Sequence, residues 1–226
     1  MTTQIIPFRS GINTCYIIRE RGTIMIDGAW SGSGPSFRRF LERHKISPSE
    51  IKLIVLTHGD FDHVGGTREL KEITGAIVAI HENDRRLLEE GIFHWPGGVT
   101  SWGRISRAIF KPVIRMIASF PSAKADLILD EHDHSLEEYG ICGRIVFTPG
   151  HTFGSVSVLL NSGDAFVGCL LHNSIPFTLR PRLPIYSKDI GLLKESLKKV
   201  LEQGATTLYP GHGKPVPVKR IKAFLD

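Results

Sequence analysis

Short apolar runs alternate with charged, helix-spaced segments along most of the chain. Residues 4–8, 13–19 and 23–27 are rich in Ile, Phe, Tyr and Met and read as strands. Arg21-Gly22 turns the chain between the last two, so Thr14 to Asp27 forms a hairpin ending Ile24-Met25-Ile26-Asp27-Gly28. Residues 31–35 are a Ser/Gly/Pro loop, and residues 35–45 place Phe37, Phe40 and Leu41 at helical spacing with arginines between them. Ser47-Pro48-Ser49-Glu50 then turns the chain into the apolar run Ile51-Lys52-Leu53-Ile54-Val55-Leu56. Residues 67–74 read as a helix stopped by Gly75, residues 76–80 as a buried strand ending at His81, and residues 82–90 as a helix stopped by Gly91.

Residues 91–125 break this rhythm. They hold Phe93, His94, Trp95, Trp102, Phe110 and Phe120. Ile105, Ile109, Val113, Met116, Ile117 and Phe120 lie near helical spacing, but Pro112 is expected to end or kink a helix there. Two readings stand: packing filler, or an inserted lid or pocket wall. Strand character returns at residues 127–129, 141–148, 155–160 and 165–168. Residues 187–203 carry Ile190, Leu193, Leu197, Val200 and Leu201 as an amphipathic helix closed by Gly204. Residues 206–209 make a last strand, with room for a short C-terminal helix after Gly213.

No linker or strong repeat divides the 226 residues, so the chain reads as a single domain, 1–226, long enough to bury a core. An apolar fraction of 41% and a charged fraction of 23% are ordinary for a globular protein. No apolar run approaches the roughly 18 residues of a membrane span, and no membrane partner is expected. The N-terminus lacks the pattern of a secretory signal. Cys15, Cys142 and Cys169 are scattered and odd in number, which suits a reducing cytoplasm rather than a disulfide framework. The formal charge of +5 is spread over small basic groups, which read as solvated helix faces or as a preference for anionic substrates or nucleic acid.

Candidate chemistry concentrates in Thr57-His58-Gly59-Asp60-Phe61-Asp62-His63-Val64-Gly65-Gly66, where four potential metal ligands fall within six residues directly after an apolar strand. His151 and His212 each occupy a Pro-Gly-His loop after a strand, and Cys169 ends another. A lone strand-end His is ordinarily a satisfied surface or core residue, and Cys169 alone reads equally as a small buried apolar residue. Donors gathered at several strand ends are what a metal site along one sheet rim requires. Zinc accepts His nitrogen, carboxylate oxygen and thiolate sulfur, and two metals can clamp a reacting oxygen.

In order and spacing, the His58–Gly66 stretch, Thr148-Pro149-Gly150-His151-Thr152-x-Gly154-Ser155 and Pro210-Gly211-His212-Gly213 resemble the metallo-β-lactamase superfamily. Ile26-Asp27-Gly28 is similar to its N-terminal pattern, so the resemblance runs from about residue 5 to 216. It implies an α+β fold, a four-layer αβ/βα sandwich with two mixed β-sheets and a metal site at one rim. It also implies a first metal on His58, Asp60 and His151, a second on Asp62, His63 and His212, and Asp27 behind them. Two positions depart from the usual pattern. Asp60 stands where the family usually has His, and Cys169 stands where it usually has a bridging Asp; one subclass of true metallo-β-lactamases binds its second zinc through such a Cys. The exchange at 60 adds one negative charge, which implies a weaker Lewis acid and a bound water of higher pKa. Two His plus one carboxylate suit zinc and non-haem iron alike. One or two zinc ions are expected, with iron or manganese open.

The function expected is metal-dependent hydrolysis of an acyl bond (ester, lactone, thioester or lactam) in a small molecule through a metal-bound water. Asp62 would orient that water or take its proton, and Phe93, Trp95 and Trp102 would wall an apolar pocket. Alternatives within the resemblance are an iron oxygenase of persulfides, a nuclease, ranked low because nothing here has the size of a nucleic-acid-gripping arm, and a non-catalytic metal-binding module. Glyoxalase-II-like thioesterases usually carry a further C-terminal helical domain, and a true β-lactamase needs export, so neither activity is expected. The oligomeric state is not legible.

Overall fold

The first three strands form a meander whose side chains already sort into layers. In the computed structural model, which describes residues 3–174, 178 and 180–221 apart from the side chain of Ile117, these are β1 (Gln4–Ser10), β2 (Asn13–Arg19) and β3 (Thr23–Ile26). They pair antiparallel. β4 (Ile51–Val55), β5 (Ile77–His81) and β6 (Leu127–Leu129) then add in parallel, giving a mixed six-stranded sheet in sequence order. Parallel neighbours need crossovers. These are α1 (Gly34–His44), then α2 (Phe61–Val64) with α3 (Thr67–Thr74), then α4 (Glu82–Glu89) with α5 (Ser101–Ile117).

A second mixed sheet follows from β7 (His134–Ser135), β8 (Gly143–Phe147), β9 (Val156–Leu160), β10 (Asp164–Asn173), β11 (Thr207–Gly213) and β12 (Val216–Pro217), ordered β12-β11-β10-β9-β8-β7. Its one parallel pair, β10 with β11, is bridged by α6 (Ile190–Glu202).

The period of two along each strand separates three cores. Ile24 and Ile26 of β3 and Leu53 and Val55 of β4 face inward, where they meet Val158, Leu160 and Phe166 of the second sheet. Met25 and Ile54 between them face outward against Phe37 and Leu41 of α1 and Leu70 of α3. On the far side, Val167, Leu171 and Leu208 pack under Leu193, Leu197 and Val200 of α6. The layers therefore run helix, sheet, sheet, helix, the sandwich that the motifs imply. Across the seam, the Tyr16 hydroxyl donates to the Pro210 carbonyl (2.9 Å) and the Cys142 amide donates to Glu20 (2.6 Å). Among the described residues, no helix is long and apolar enough to cross a membrane. The cysteines are free.

Three expectations need correction. α5 runs through Pro112 rather than ending there. The ring removes the donor to the Ala108 carbonyl, but Ala108 is exposed and water can serve it. β10 does not end at Cys169; it continues to Asn173 with register shifts around Gly168. His212 lies within β11 rather than in a loop after it, because β11 pairs with β10 as far as His172–His212 and Asn173–Gly213. After β12 only a single turn, Val218–Arg220, is described, so the expected C-terminal helix falls largely on residues 222–226, outside the described ones.

Candidate metal centre

The strands β3 and β4 deliver their C-terminal ends to one rim of the sandwich. Asp27 follows β3 and the His58–His63 stretch follows β4. The second sheet brings His151 from the β8–β9 loop, Cys169 from the middle of β10 and His212 from β11 to the same rim. All of these residues are buried.

Asp27 organises the centre from behind. It holds a left-handed backbone (φ 67°), which Asp tolerates better than most residues. One oxygen accepts from the Thr57 amide (2.9 Å) and hydroxyl (2.8 Å), and the other from His63 Nδ1 (2.8 Å). The Thr57 hydroxyl in turn accepts from His58 Nδ1 at 3.0 Å. His151 Nδ1 donates to the Tyr186 carbonyl and His212 Nδ1 to the Ile12 carbonyl, each at 3.0 Å. Every imidazole is thus pinned through Nδ1, which fixes the tautomer and turns Nε2 inward, the arrangement of metal-ligating histidines.

Inward, the donor atoms fall into two groups that share one sulfur. His58, His151 and Cys169 form one, and His63, Cys169 and His212 the other, with ligand atoms within 4.8 Å of one another in each. His63 Nε2 stands 3.4 Å from Cys169 Sγ and 3.3 Å from His212 Nε2. Two ring nitrogens that both donate through Nδ1 can meet at that distance only around a proton or a cation. His58 Nε2 is buried with no hydrogen-bond partner among the described residues. The nitrogen, sulfur and carboxylate set therefore fits a divalent metal.

Asp60 and Asp62 flank the two groups. Asp60 Oδ2 lies 3.0 Å from His151 Nε2 and 3.7 Å from His58 Nε2, while its other oxygen accepts from His94 Nδ1 at 2.6 Å. Asp62 Oδ2 lies 3.2 Å from His212 Nε2 and 3.9 Å from His63 Nε2. Asp84, buried, accepts from the Gly59 amide (2.8 Å) and the Thr152 hydroxyl (2.6 Å), so it ties the His58 loop to the His151 loop. Gly168 (φ 49°) is required at the crossing: a Cβ there would stand 2.6 Å from the Thr57 hydroxyl.

Charge is balanced within the cluster. Burial opposes ionisation of Cys169, yet the imidazoles of His151, His63 and His212 hold its thiol well below the usual range. Burial likewise opposes the imidazolium forms, but the Cys169 sulfur and the neighbouring carboxylates push His151 and His212 up to about 10. Asp60 and Asp62 stay below the ordinary carboxylate value despite burial, the first through hydrogen bonds from His151 and His94, the second through His63 and His212. A depressed carboxylate stabilises most above its unfolded value of about 3.9 and loses that contribution as pH falls through its folded value. In protein kept metal-free by chelator, the stability gap between wild type and Asp60→Asn is expected to be wide between about pH 4 and 6 and to close below it. Urea midpoints across that range check this.

Above the cluster opens a cavity of about 330 Å³. Asp60, Asp62, His151, Cys169, His172 and His212 form its floor, and Trp95, Trp102, Phe110, Ile114, Ile185 and Tyr186 its walls. Of the three aromatics expected there, Trp95 and Trp102 are in place. Phe93 is not: it packs on the helix-side core, with its ring 5.2 Å from Phe61. Two further residues were not foreseen. His94 holds Asp60, and no motif marks it. His172 reaches the floor only because the irregular register after Gly168 lets residues 169 and 172 face the same way. Burial lowers its pKa to about 4, so His172 is neutral beside its charged neighbours.

The pattern is matched as a whole by known proteins. The family model of the metallo-beta-lactamase superfamily matches residues 9–212. The chain belongs to the metallo-β-lactamase superfamily. A probable metallo-hydrolase of Methanocaldococcus jannaschii is 27% identical over 202 residues, covering 88% of this chain and 86% of that protein. An uncharacterized protein of Mycobacterium leprae is 25% identical over 223 residues, covering 94% and 93%. Among solved structures, the B3 metallo-beta-lactamase BLEG-1 shares the fold with a TM-score of 0.70 at 20% identity, covering 98% of this chain and 97% of its own. A protein solved in a di-iron-bound form, TTHA1623, gives 0.68 at 19%, covering 98% of both chains. The chain is thus metallo-hydrolase-like in family and fold, with a site of the kind that binds metal ions.

Proposed function

We propose that this superfamily member is a zinc-dependent hydrolase that cleaves an acyl bond (ester, lactone, thioester or lactam) in a small molecule with a substantial apolar part. The observation that carries this reading is the double donor cluster around Cys169 lying at the floor of an apolar chamber. His58, His151 and Asp60 would hold one ion, His63, His212 and Asp62 a second, with Cys169 between them. The bound metal supplies Lewis acidity that polarises a carbonyl and activates water.

The chain's own residues do the rest. Asp62 lines the chamber at the edge of the cluster, with Oδ2 3.2 Å from His212 Nε2, and its carboxylate orients the attacking water and holds its proton. Trp95 packs edge-on against Tyr186 (5.0 Å) and, with Trp102 and Phe110, keeps bulk water from the floor while receiving the apolar portion of the substrate. His172, neutral, lies beside this floor as a hydrogen-bonding group that adds no charge. Zinc-loaded protein is expected to turn over at least one member of a panel of aryl and alkyl esters, lactones, acyl thioesters and lactams. Chelation should abolish the turnover, and Asp62→Ala should lower kcat by at least about a hundredfold. No turnover across the panel, or an unchanged kcat in Asp62→Ala, removes the proposal.

One observation favours a second reading. Asp60 with His58 and His151 makes a two-His-one-carboxylate set, the ligand type of non-haem iron oxygenases. Element analysis of protein prepared without chelator separates the two: zinc with hydrolysis, or iron with oxygen uptake.

A further inference from the structure

The helix α5 carries two parallel rows of side chains. Trp102, Ile105, Ile109, Val113 and Met116 follow one another at spacings of three and four residues, which places them along one side of the helix. All are exposed, Ile109 to 60% and Met116 to 83%. Arg104, Arg107, Lys111 and Arg115 form the second row at the same spacing. Residues 91–125 contain five bases and no Asp or Glu, and Arg104, Lys111 and Arg115 make no ion pair among the described residues. The third side of the helix faces the protein: Ser106 is buried against Tyr186 (2.8 Å), and Phe110 and Ile114 line the chamber.

A row of large apolar side chains in water calls for a cover. A second copy of this chain, set on the apolar row, would leave the basic row, about half a turn further round the helix, with no acid on the segment to answer it. The row is a convex ridge about 20 Å long, suited to insertion rather than to filling a groove. An anionic bilayer meets both rows at once, taking the apolar one into the acyl boundary and the basic one among the headgroups. We propose that α5 docks the protein on the surface of anionic lipid bilayers. The expectation of no membrane partner rests on the missing span, and a surface-lying helix needs none.

The docked orientation has a consequence for the chamber. Trp102 and Phe110 are exposed to 58% and 49% and also line it, so its mouth lies beside the lipid. A substrate with a hydrocarbon tail can then pass from the bilayer to the floor. This last clause rests on the hydrolase reading; the docking does not.

The test is co-sedimentation of the full chain with vesicles of phosphatidylcholine alone and of equal parts phosphatidylcholine and phosphatidylglycerol, with and without bound metal. Binding is expected only to the anionic vesicles, to weaken with added salt, and to be indifferent to metal. The variant Ile105→Ser/Ile109→Ser/Met116→Ser alters exposed positions outside the chamber and should keep the circular dichroism and melting of wild type while binding at least about a hundredfold more weakly. Failure to bind anionic vesicles overturns the proposal, as does undiminished binding by the variant. A dimer in sedimentation velocity that the variant dissolves would also overturn it, by giving the ridge to a second copy. Because no turnover is measured, failure of the hydrolase reading would leave these outcomes intact.

Discussion

Replacing Cys169 by alanine is expected to weaken metal binding at least about a hundredfold, beyond the usual loss for a residue that merely supports a ligand. The reason is its position: its sulfur belongs to both donor groups, so one substitution removes a ligand from each. It also removes from the buried cluster a negative charge that would offset the charge of a bound cation. Metal-to-protein ratios after dialysis, and chelator competition, measure the effect. Wild-type affinity in the variant would mean that the six His and Asp donors hold the metal by themselves and that the cysteine is packing.

Asp27→Ala is expected to destabilise the metal-free protein by about 3–5 kcal/mol, the range for breaking a buried charged pair by removing one partner. Three donors lose their acceptor at once: the Thr57 amide, the Thr57 hydroxyl and His63 Nδ1. The left-handed backbone adds strain for alanine that Asn avoids. Asp27→Asn should therefore recover part of the loss while still lacking the charge that holds His63 protonated. Urea denaturation of the two variants under chelator gives both numbers. A loss under about 1 kcal/mol for alanine would show that water replaces the carboxylate, contrary to its burial.

Much of the architecture is legible in the sequence because layers leave periodicities. Ile24 and Ile26 alternate with Met25, and Phe37 and Leu41 recur at helical spacing, so strands and crossover helices can be read locally. The His58–His63 stretch and the Pro-Gly-His segments mark the site because several donors there are close in sequence. What is not legible depends on contacts between distant segments. His94 matters only because Asp60 comes to 2.6 Å from it, and nothing local to residue 94 says so. His172 belongs to the floor through a register shift, and strict alternation from Cys169 would turn it away. Phe93 and Trp95 are equally aromatic in sequence; only the fold shows that one packs on the core and the other lines the chamber. Pro112 was legible as a breaker, but the exposure that lets the helix continue past it is a property of the fold.

The two sheets use the two halves of the chain in succession, and among the described residues no strand crosses from one to the other. Contacts in the centre nevertheless join residues 106 and 149 positions apart, as Cys169 does with His63 and His212 with His63. An ion held there is, in polymer terms, a cross-link between distant points of an otherwise sequential chain. Closing so long a loop costs entropy that grows only with the logarithm of its length. The bound ion removes that freedom from the unfolded chain only if the ligands stay attached, so its contribution to cohesion depends on how tightly the loose chain still grips it.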